Sequence, residues 1–202
     1  NLKVIKKNQL FLLILSINII FLLATLSNTY TDGYNLRQAQ TAIMARNIFY
    51  DDLNIFPTRL TFFAPLKGNI IFEFPFIHFI TALSYKIFSI SEINGRIINL
   101  ILYIFNGVIF YKIQDFFFDK KIVISTSILF ISSPLILYLA HAYMPETSMM
   151  SFYLLAYYFY IKSKIQNNNL SKVLLVISLI IAPLIKPPAG IIYIPIFLDS
   201  LN

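Results

Sequence analysis

Long apolar runs separated by short basic connectors dominate the chain, and this pattern predicts an all-α membrane protein. Residues 9–27 carry no charge. As a helix they would be about 28 Å long, close to the hydrocarbon thickness of roughly 30 Å. Further apolar runs predict spans at 96–113, 121–140, 147–162 and 171–185, and a last one that begins near 189. The expected fold is therefore polytopic, with about six transmembrane helices.

Residues 28–73 are more polar and predict a long external loop. Its first part has a helical pattern from Asn35 to Tyr50, with apolar side chains on one face and polar side chains on the other. The apolar face carries Leu36, Ala39, Ile43 and Tyr50, and the polar face carries Arg37, Gln38 and Thr41. A helix of this kind lies on the membrane surface.

Residues 75–90 could either cross the membrane or lie beside it. These 16 residues reach only about 24 Å as a helix. They carry a polar stripe of His78, Thr81 and Tyr85. Length and pattern alone leave both placements open.

The distribution of lysine decides between them. Lys3, Lys6 and Lys7 precede the first span, which places the amino terminus in the cytoplasm, with a cleaved signal peptide as the alternative. If 75–90 does not cross, the basic connectors 112–121 and 162–172 are cytoplasmic as well. We therefore expect 75–90 to be a juxtamembrane or re-entrant helix.

Composition supports the membrane interpretation. The chain is 58% hydrophobic and 12% charged, against about 25% charged in soluble domains. The net charge of +7 comes from lysines clustered between apolar runs, so it indicates membrane orientation rather than nucleic-acid binding. The chain has no cysteine, which excludes thiolate and disulfide chemistry. Because it starts at Asn1 and ends after an apolar run, we expect residues 1–202 to be the amino-terminal part of a longer transmembrane domain.

Two acidic residues in the external loop are candidates for chemistry. Asp32 follows the first span and precedes Gly33; an ordinary turn or helix-entry carboxylate is the alternative. Glu73 lies within IIFEFPF, and an acid in an apolar run beside a membrane is costly enough to indicate function.

Two more candidates follow later spans. Glu146 in HAYMPET could act in a site or simply cap a helix. Lys186 in APLIKPPAG precedes a double proline that must break the helix, and it could bind a phosphate or extend to the interface. The predicted topology puts Asp32, Glu73, Glu146 and Lys186 on the external side, where they could share one cavity. Arg37 and Arg46 would lie close behind.

The sequence gives little support for a metal site or a nucleotide-binding site. His78 and His141 are far apart in sequence and have no companion at ligand spacing, so we expect hydrogen-bonded interfacial residues rather than zinc ligands. The sequence contains no Gly-rich phosphate loop and no Ser/His/Asp arrangement.

Four motifs in this order resemble the GT-C superfamily of polytopic glycosyltransferases, in particular the dolichyl-phosphate-mannose protein mannosyltransferases and lipid A aminoarabinose transferases. They are DGYNLRQAQTAIMARNIF, EFPF, MPET and KPPAG. The resemblance maps the first-loop catalytic acid to Asp32, the E-x-P acid to Glu73, and the second-loop acid to Glu146. The chain departs from the family patterns at three places: it has a single Asp in the first loop, Phe74 after Glu73, and Leu36 before Arg37. The family's substrate is therefore not assigned to this protein.

The resemblance implies an inverting transfer of a sugar from a polyprenyl-phosphate donor to a lipid, glycan or protein acceptor. Asp32 would be the general base, Arg37 and Lys186 would bind the phosphate, and Glu73 and Glu146 would position the acceptor or hold an optional divalent cation. The enzyme would be a multi-pass protein of the cytoplasmic (inner) membrane, with its site facing the periplasm or exterior. A flippase or transporter of lipid-linked sugars is the first alternative, and a structural fragment without a site is the second.

Overall fold

The computed structural model describes residues 2–27, 34–56 and 73–201; the side chains of 2–8 and 200 are not described. This part of the chain is all-α and contains no strand, as expected. The α-helices are α1 (Leu2–Ala24), α2 (Asn35–Tyr50), α3 (Phe76–Phe88), α4 (Glu92–Gln114), α5 (Lys120–Ile131), α6 (Pro134–His141), α7 (Glu146–Gln166), α8 (Asn169–Ile185) and α9 (Tyr193–Ser200). A 3₁₀ helix, Pro187–Ile192, joins α8 to α9.

The main apolar core lies where α1 meets α4, α5 and α6. Its buried members include Phe11, Leu15 and Leu22 of α1 and Leu100 of α4. The opposite face of α1 leaves large apolar side chains exposed: Leu10, Leu12, Leu13, Ile17, Ile20, Phe21 and Leu23. A helix that is apolar on every face is typical of a membrane environment. The exposed face of α1 is therefore suited to lipid.

α7 and α8 form an antiparallel pair. Asn167 ends α7 in the left-handed conformation, with φ 45° and ψ 36°. The side chain of Asn168 then accepts from the N–H of Leu170 at 2.9 Å and caps α8. Asparagine suits both positions because it tolerates the left-handed region and is a strong N-cap. These two residues place the start of α7 and the end of α8 at the same end of the pair.

Among the described residues, α4 is the one helix both long and apolar enough to cross a membrane. It contains the predicted span 96–113. The predicted span 121–140 is not a single helix: α5 and α6 meet at an angle of 53°. Pro134 causes the break, because it lacks an N–H and forces Ser133 into an extended conformation, with φ −61° and ψ 131°. Six spans stay a prediction, since the remaining apolar helices do not meet both requirements.

α2 and α3 pack against each other and form the layer that carries the first half of the site. α2 runs from Asn35 to Tyr50, which confirms the predicted bounds. Its polar residues Gln38 and Thr41 are buried, whereas Leu36 and Tyr50 are exposed. The polar face of this helix therefore points into the protein and its apolar edge points outward.

α3 presents its polar stripe to the interior as well. His78, Thr81 and Tyr85 are all buried. With 13 residues the helix is only about 20 Å long. The juxtamembrane placement of this helix stays a prediction.

Candidate active site

An ion pair between α2 and the segment before α3 forms the first half of the candidate site. Arg37 lies in the first turn of α2, where its backbone N–H donates to the Tyr34 carbonyl at 2.9 Å. Its Nη2 donates to both carboxylate oxygens of Glu73, at 2.6 and 2.5 Å. The Glu73 side chain is only 5% exposed. Charge-assisted hydrogen bonds in a buried setting are strong and directional, so this pair holds α2 against the start of α3.

The end of α8 determines where Glu73 lies. α8 ends at Ile185 because two prolines follow Lys186. The last carbonyl groups of a helix have no partner within it. One of them, on Leu184, accepts from the N–H of Phe74 at 3.1 Å. This bond brings Glu73 close to the residue that follows α8.

That residue, Lys186, lies between two carboxylates. Its Nζ is 2.9 Å from Oε1 of Glu146 and 3.6 Å from Oε2 of Glu73. Its backbone is extended, with φ −146° and ψ 117°, which turns the chain out of α8. Glu146 is in the first turn of α7, where the helix dipole also favours a negative charge. Four side chains from α2, the α3 approach, α7 and the α8 end therefore converge; we call them the charge cluster.

The charge cluster is formally neutral, with two cations and two anions. Arg37, Lys186 and Glu146 have side chains that are 19%, 24% and 26% exposed, so the cluster opens to its surroundings on their side. Burial raises the pKa of the Glu73 carboxyl above its ordinary value, while the charges of Arg37 and Lys186 act in the opposite direction. The cluster is therefore a half-open set of two cations, both of which converge on one buried carboxylate.

His78 lies against the buried side of the cluster. Its Nε2 is 3.9 Å from Oε1 of Glu73, and among the described residues neither ring nitrogen has a hydrogen-bond partner. Burial, followed by the charge of Arg37, lowers the pKa of His78 to about 3. The imidazole is therefore neutral near pH 7 and adds no cation to the cluster. It is also fully buried rather than interfacial, which corrects the expectation from sequence.

The structure brings together four of the residues predicted from sequence: Arg37, Glu73, Glu146 and Lys186. Asp32 lies outside the described residues. Arg46 is on α2 but about 13 Å further along the helix than Arg37, and it interacts with Tyr85 of α3. Arg46, which was expected close behind the cavity with Arg37, therefore lies near the other end of α2.

Three buried polar side chains on one face of α4 were not predicted. Arg96, Asn99 and Asn106 are at most 2% exposed. Nη1 of Arg96 lies 3.0 Å from Nε2 of His141 and donates to the Thr25 carbonyl at 3.2 Å. Spacings of three and seven residues put polar side chains on one face of a helix. That periodicity, inside an otherwise apolar span, was the signal that could have identified them.

A comparison with known protein families identifies the chain. The family model described as dolichyl-phosphate-mannose-protein mannosyltransferase matches residues 73–201, more than half of the chain. The match starts at Glu73 and includes Glu146 and Lys186, whereas α1 and α2 precede it. No curated protein and no solved structure matches the chain. The chain therefore belongs to the dolichyl-phosphate-mannose-protein mannosyltransferase family, whose members are membrane glycosyltransferases of the GT-C type.

Proposed function

We propose that the charge cluster binds the phosphate of a polyprenyl-phosphate sugar and that the protein transfers this sugar to a lipid, glycan or protein acceptor. The observation that carries the proposal is the convergence of Arg37 and Lys186 on Glu73. These two cations come from helices far apart in sequence. Arginine and lysine held together beside an opening form a favourable environment for a phosphodiester.

The chemistry requires one proton acceptor and one stabilised leaving group. The acceptor oxygen attacks the anomeric carbon and forms the new glycosidic bond, and the bond from that carbon to the phosphate oxygen breaks. The acceptor proton passes to a carboxylate acting as general base, for which we propose Asp32. The electron pair of the broken bond stays on the phosphate, whose added charge Arg37 and Lys186 stabilise. A single displacement of this kind inverts the anomeric carbon.

The two acids of the cluster have a different role. Glu73 holds Arg37 and Glu146 holds Lys186, so each acid positions a phosphate-binding cation and is available to orient the acceptor. Glu73 and Glu146 by themselves do not fit an optional divalent cation, because Lys186 already supplies a positive charge between them. The ammonium of Lys186 lies between both carboxylates, and the described residues contain no group of three metal-ligating side chains.

The proposed placement in the membrane follows from the charge pattern. Residues 1–202 form part of one multi-pass domain in the cytoplasmic (inner) membrane, with the charge cluster facing the periplasm or exterior. α3 lies beside the membrane without crossing it, as the distribution of lysine favours. The lysines at 112–121 and 162–172 are then cytoplasmic.

Donor binding to Arg37 variants tests the proposal. In the purified full-length protein, Arg37→Ala should weaken binding of a labelled polyprenyl-phosphate sugar by about 10- to 100-fold, the equivalent of about 1.5–3 kcal/mol. Arg37→Lys should recover only part of the loss, because it restores the charge without the planar fork. Donor binding that does not respond to Arg37→Ala would remove the guanidinium from the phosphate site.

A further inference from the structure

The loop between α6 and α7 leads directly into Glu146 and is held by side chains from other helices. Ala142 and Tyr143 are fully buried. Buried backbone N–H and C=O groups must find hydrogen-bond partners. The partners of this loop therefore decide where Glu146 is placed.

Asn99 of α4 holds the loop from one side. Its Nδ2 donates to the carbonyl of Met144 at 3.1 Å and also to the carbonyl of Ala142. Two turns further along α4, Nδ2 of Asn106 donates to the carbonyl of Thr147 at 3.1 Å. These bonds fix the loop and the start of α7 relative to α4.

Gln38 of α2 holds the loop from the other side. The backbone N–H of Tyr143 donates to Oε1 of Gln38 at 3.1 Å. Gln38 is fully buried and directly follows Arg37 in the chain. Tyr143 precedes Glu146 by three residues. This hydrogen bond therefore links the element that carries a cation of the cluster to the loop that carries an acid.

The cluster has two halves, the pair Arg37–Glu73 and the pair Lys186–Glu146. The ionic contact between the halves is longer than the ionic contacts within them. Arg37 approaches Glu73 to 2.5 Å and Lys186 approaches Glu146 to 2.9 Å, whereas Lys186 is 3.6 Å from Glu73. At 3.6 Å an ion pair attracts but no longer defines an orientation. Directional hydrogen bonds elsewhere fix one half against the other: the Phe74 N–H donates to the Leu184 carbonyl at 3.1 Å beside Lys186, and the Tyr143 N–H donates to Gln38 at 3.1 Å on the side of Glu146.

We infer that Gln38 is a positioning residue that sets Arg37 and Glu73 in register with Glu146 and Lys186. This inference rests on the proposed glycosyl transfer. If Gln38 is lost, each half keeps its own ion pair, and the donor phosphate still finds two cations. The reacting groups are then misaligned, and a displacement of about 1 Å can cost up to about 100-fold in rate. The expected signature is a lower kcat with a nearly unchanged KM for the donor.

The test combines hydrogen exchange with steady-state kinetics on the full-length protein in detergent. Gln38→Met removes the accepting oxygen at similar size, Gln38→Glu retains an oxygen there, and Gln40→Met is the matched control on the same helix. We expect faster exchange at the Tyr143 amide and at least about a 10-fold lower kcat in Gln38→Met alone. Gln38→Glu should keep most of both properties, and Gln40→Met should behave as wild type.

The inference requires kcat to follow the protection of the Tyr143 amide across these variants. It is overturned if Gln38→Met leaves that amide protected, or exposes it without lowering kcat. If Gln38→Met does not fold, Gln38→Asn replaces it, because it withdraws the same oxygen by one methylene. Failure of the proposed function looks different: wild type then transfers no sugar, whatever the exchange of Tyr143, and the positioning role falls with it.

Discussion

Lys186 is the residue whose replacement best separates donor binding from folding. Its Nζ contacts Glu146 at 2.9 Å and Glu73 at 3.6 Å, and its side chain is three-quarters buried. Lys186→Met removes the charge and keeps the length of the side chain. If the ammonium also binds the donor phosphate, the affinity for the donor should fall by about 10- to 100-fold, which corresponds to losing one charge-assisted hydrogen bond.

The same substitution should lower the free energy of unfolding. It leaves two carboxylates facing each other, one of them on the buried Glu73. Breaking a fully buried pair costs about 3–5 kcal/mol; because Glu146 is a quarter exposed, we expect about 1–3 kcal/mol here. Removing both partners, in Lys186→Met/Glu146→Gln, should recover much of this stability because no uncompensated carboxylate remains beside the methionine.

The double variant separates the effect of Lys186 on donor binding from its effect on stability. Thermal unfolding and equilibrium binding of a labelled polyprenyl-phosphate sugar are measured on wild type, both single variants and the double variant. The account predicts that the double variant regains stability but not donor affinity. Lys164→Met is the matched control, since Lys164 forms an exposed pair with Asp199 and lies near the end of α7, about 27 Å along the helix from Glu146. If donor affinity returns with stability, Lys186 serves only to neutralise Glu146 and the phosphate assignment is refuted.

Three other predictions address the base, the packing and the topology. Asp32→Asn should lower sugar transfer by about 100-fold or more while membrane insertion stays normal; turnover above about half of wild type would exclude Asp32 as the base. Gly95→Ala should lower stability by about 1–3 kcal/mol, because its Cβ would lie 2.5 Å from the Tyr143 ring, whereas Gly190→Ala meets no atom closer than 3.7 Å and should be neutral in the same unfolding assay. A cysteine at Phe116 should not react with an impermeant thiol reagent added to intact cells; labelling there would contradict the cytoplasmic connector.

Local sequence signals predicted the helix boundaries that depend on local chemistry. The amphipathic pattern gave α2 its bounds, Asn35 to Tyr50. Pro145 and Thr147 predicted a helix start, and α7 begins between them at Glu146; the double proline predicted the end of α8. Each of these signals acts within one or two turns of helix. It can therefore be recognised in the sequence without knowledge of the tertiary structure.

The association of the charge cluster was predicted less directly, from topology. The distribution of lysine placed Glu73, Glu146 and Lys186 on the same side of the membrane. In the structure Lys186 contacts both carboxylates. The partners within the cluster could not be predicted, because Arg37 and Glu73 are brought together by the packing of α2 on α3. The bond from Tyr143 to Gln38 spans 105 residues. No local pattern specifies a contact of that range.

Sugar transfer by the full-length protein in detergent tests the central claim most directly. Purified protein is given a labelled polyprenyl-phosphate sugar and candidate acceptors, with no sealed compartment present. The account predicts release of polyprenyl phosphate and a glycosylated acceptor of inverted anomeric configuration, and it predicts that Arg37→Ala and Lys186→Met both suppress this turnover. A transporter needs two separate sides to show net movement. Donor binding without any turnover in detergent, together with movement of the donor across sealed vesicles, would contradict the account.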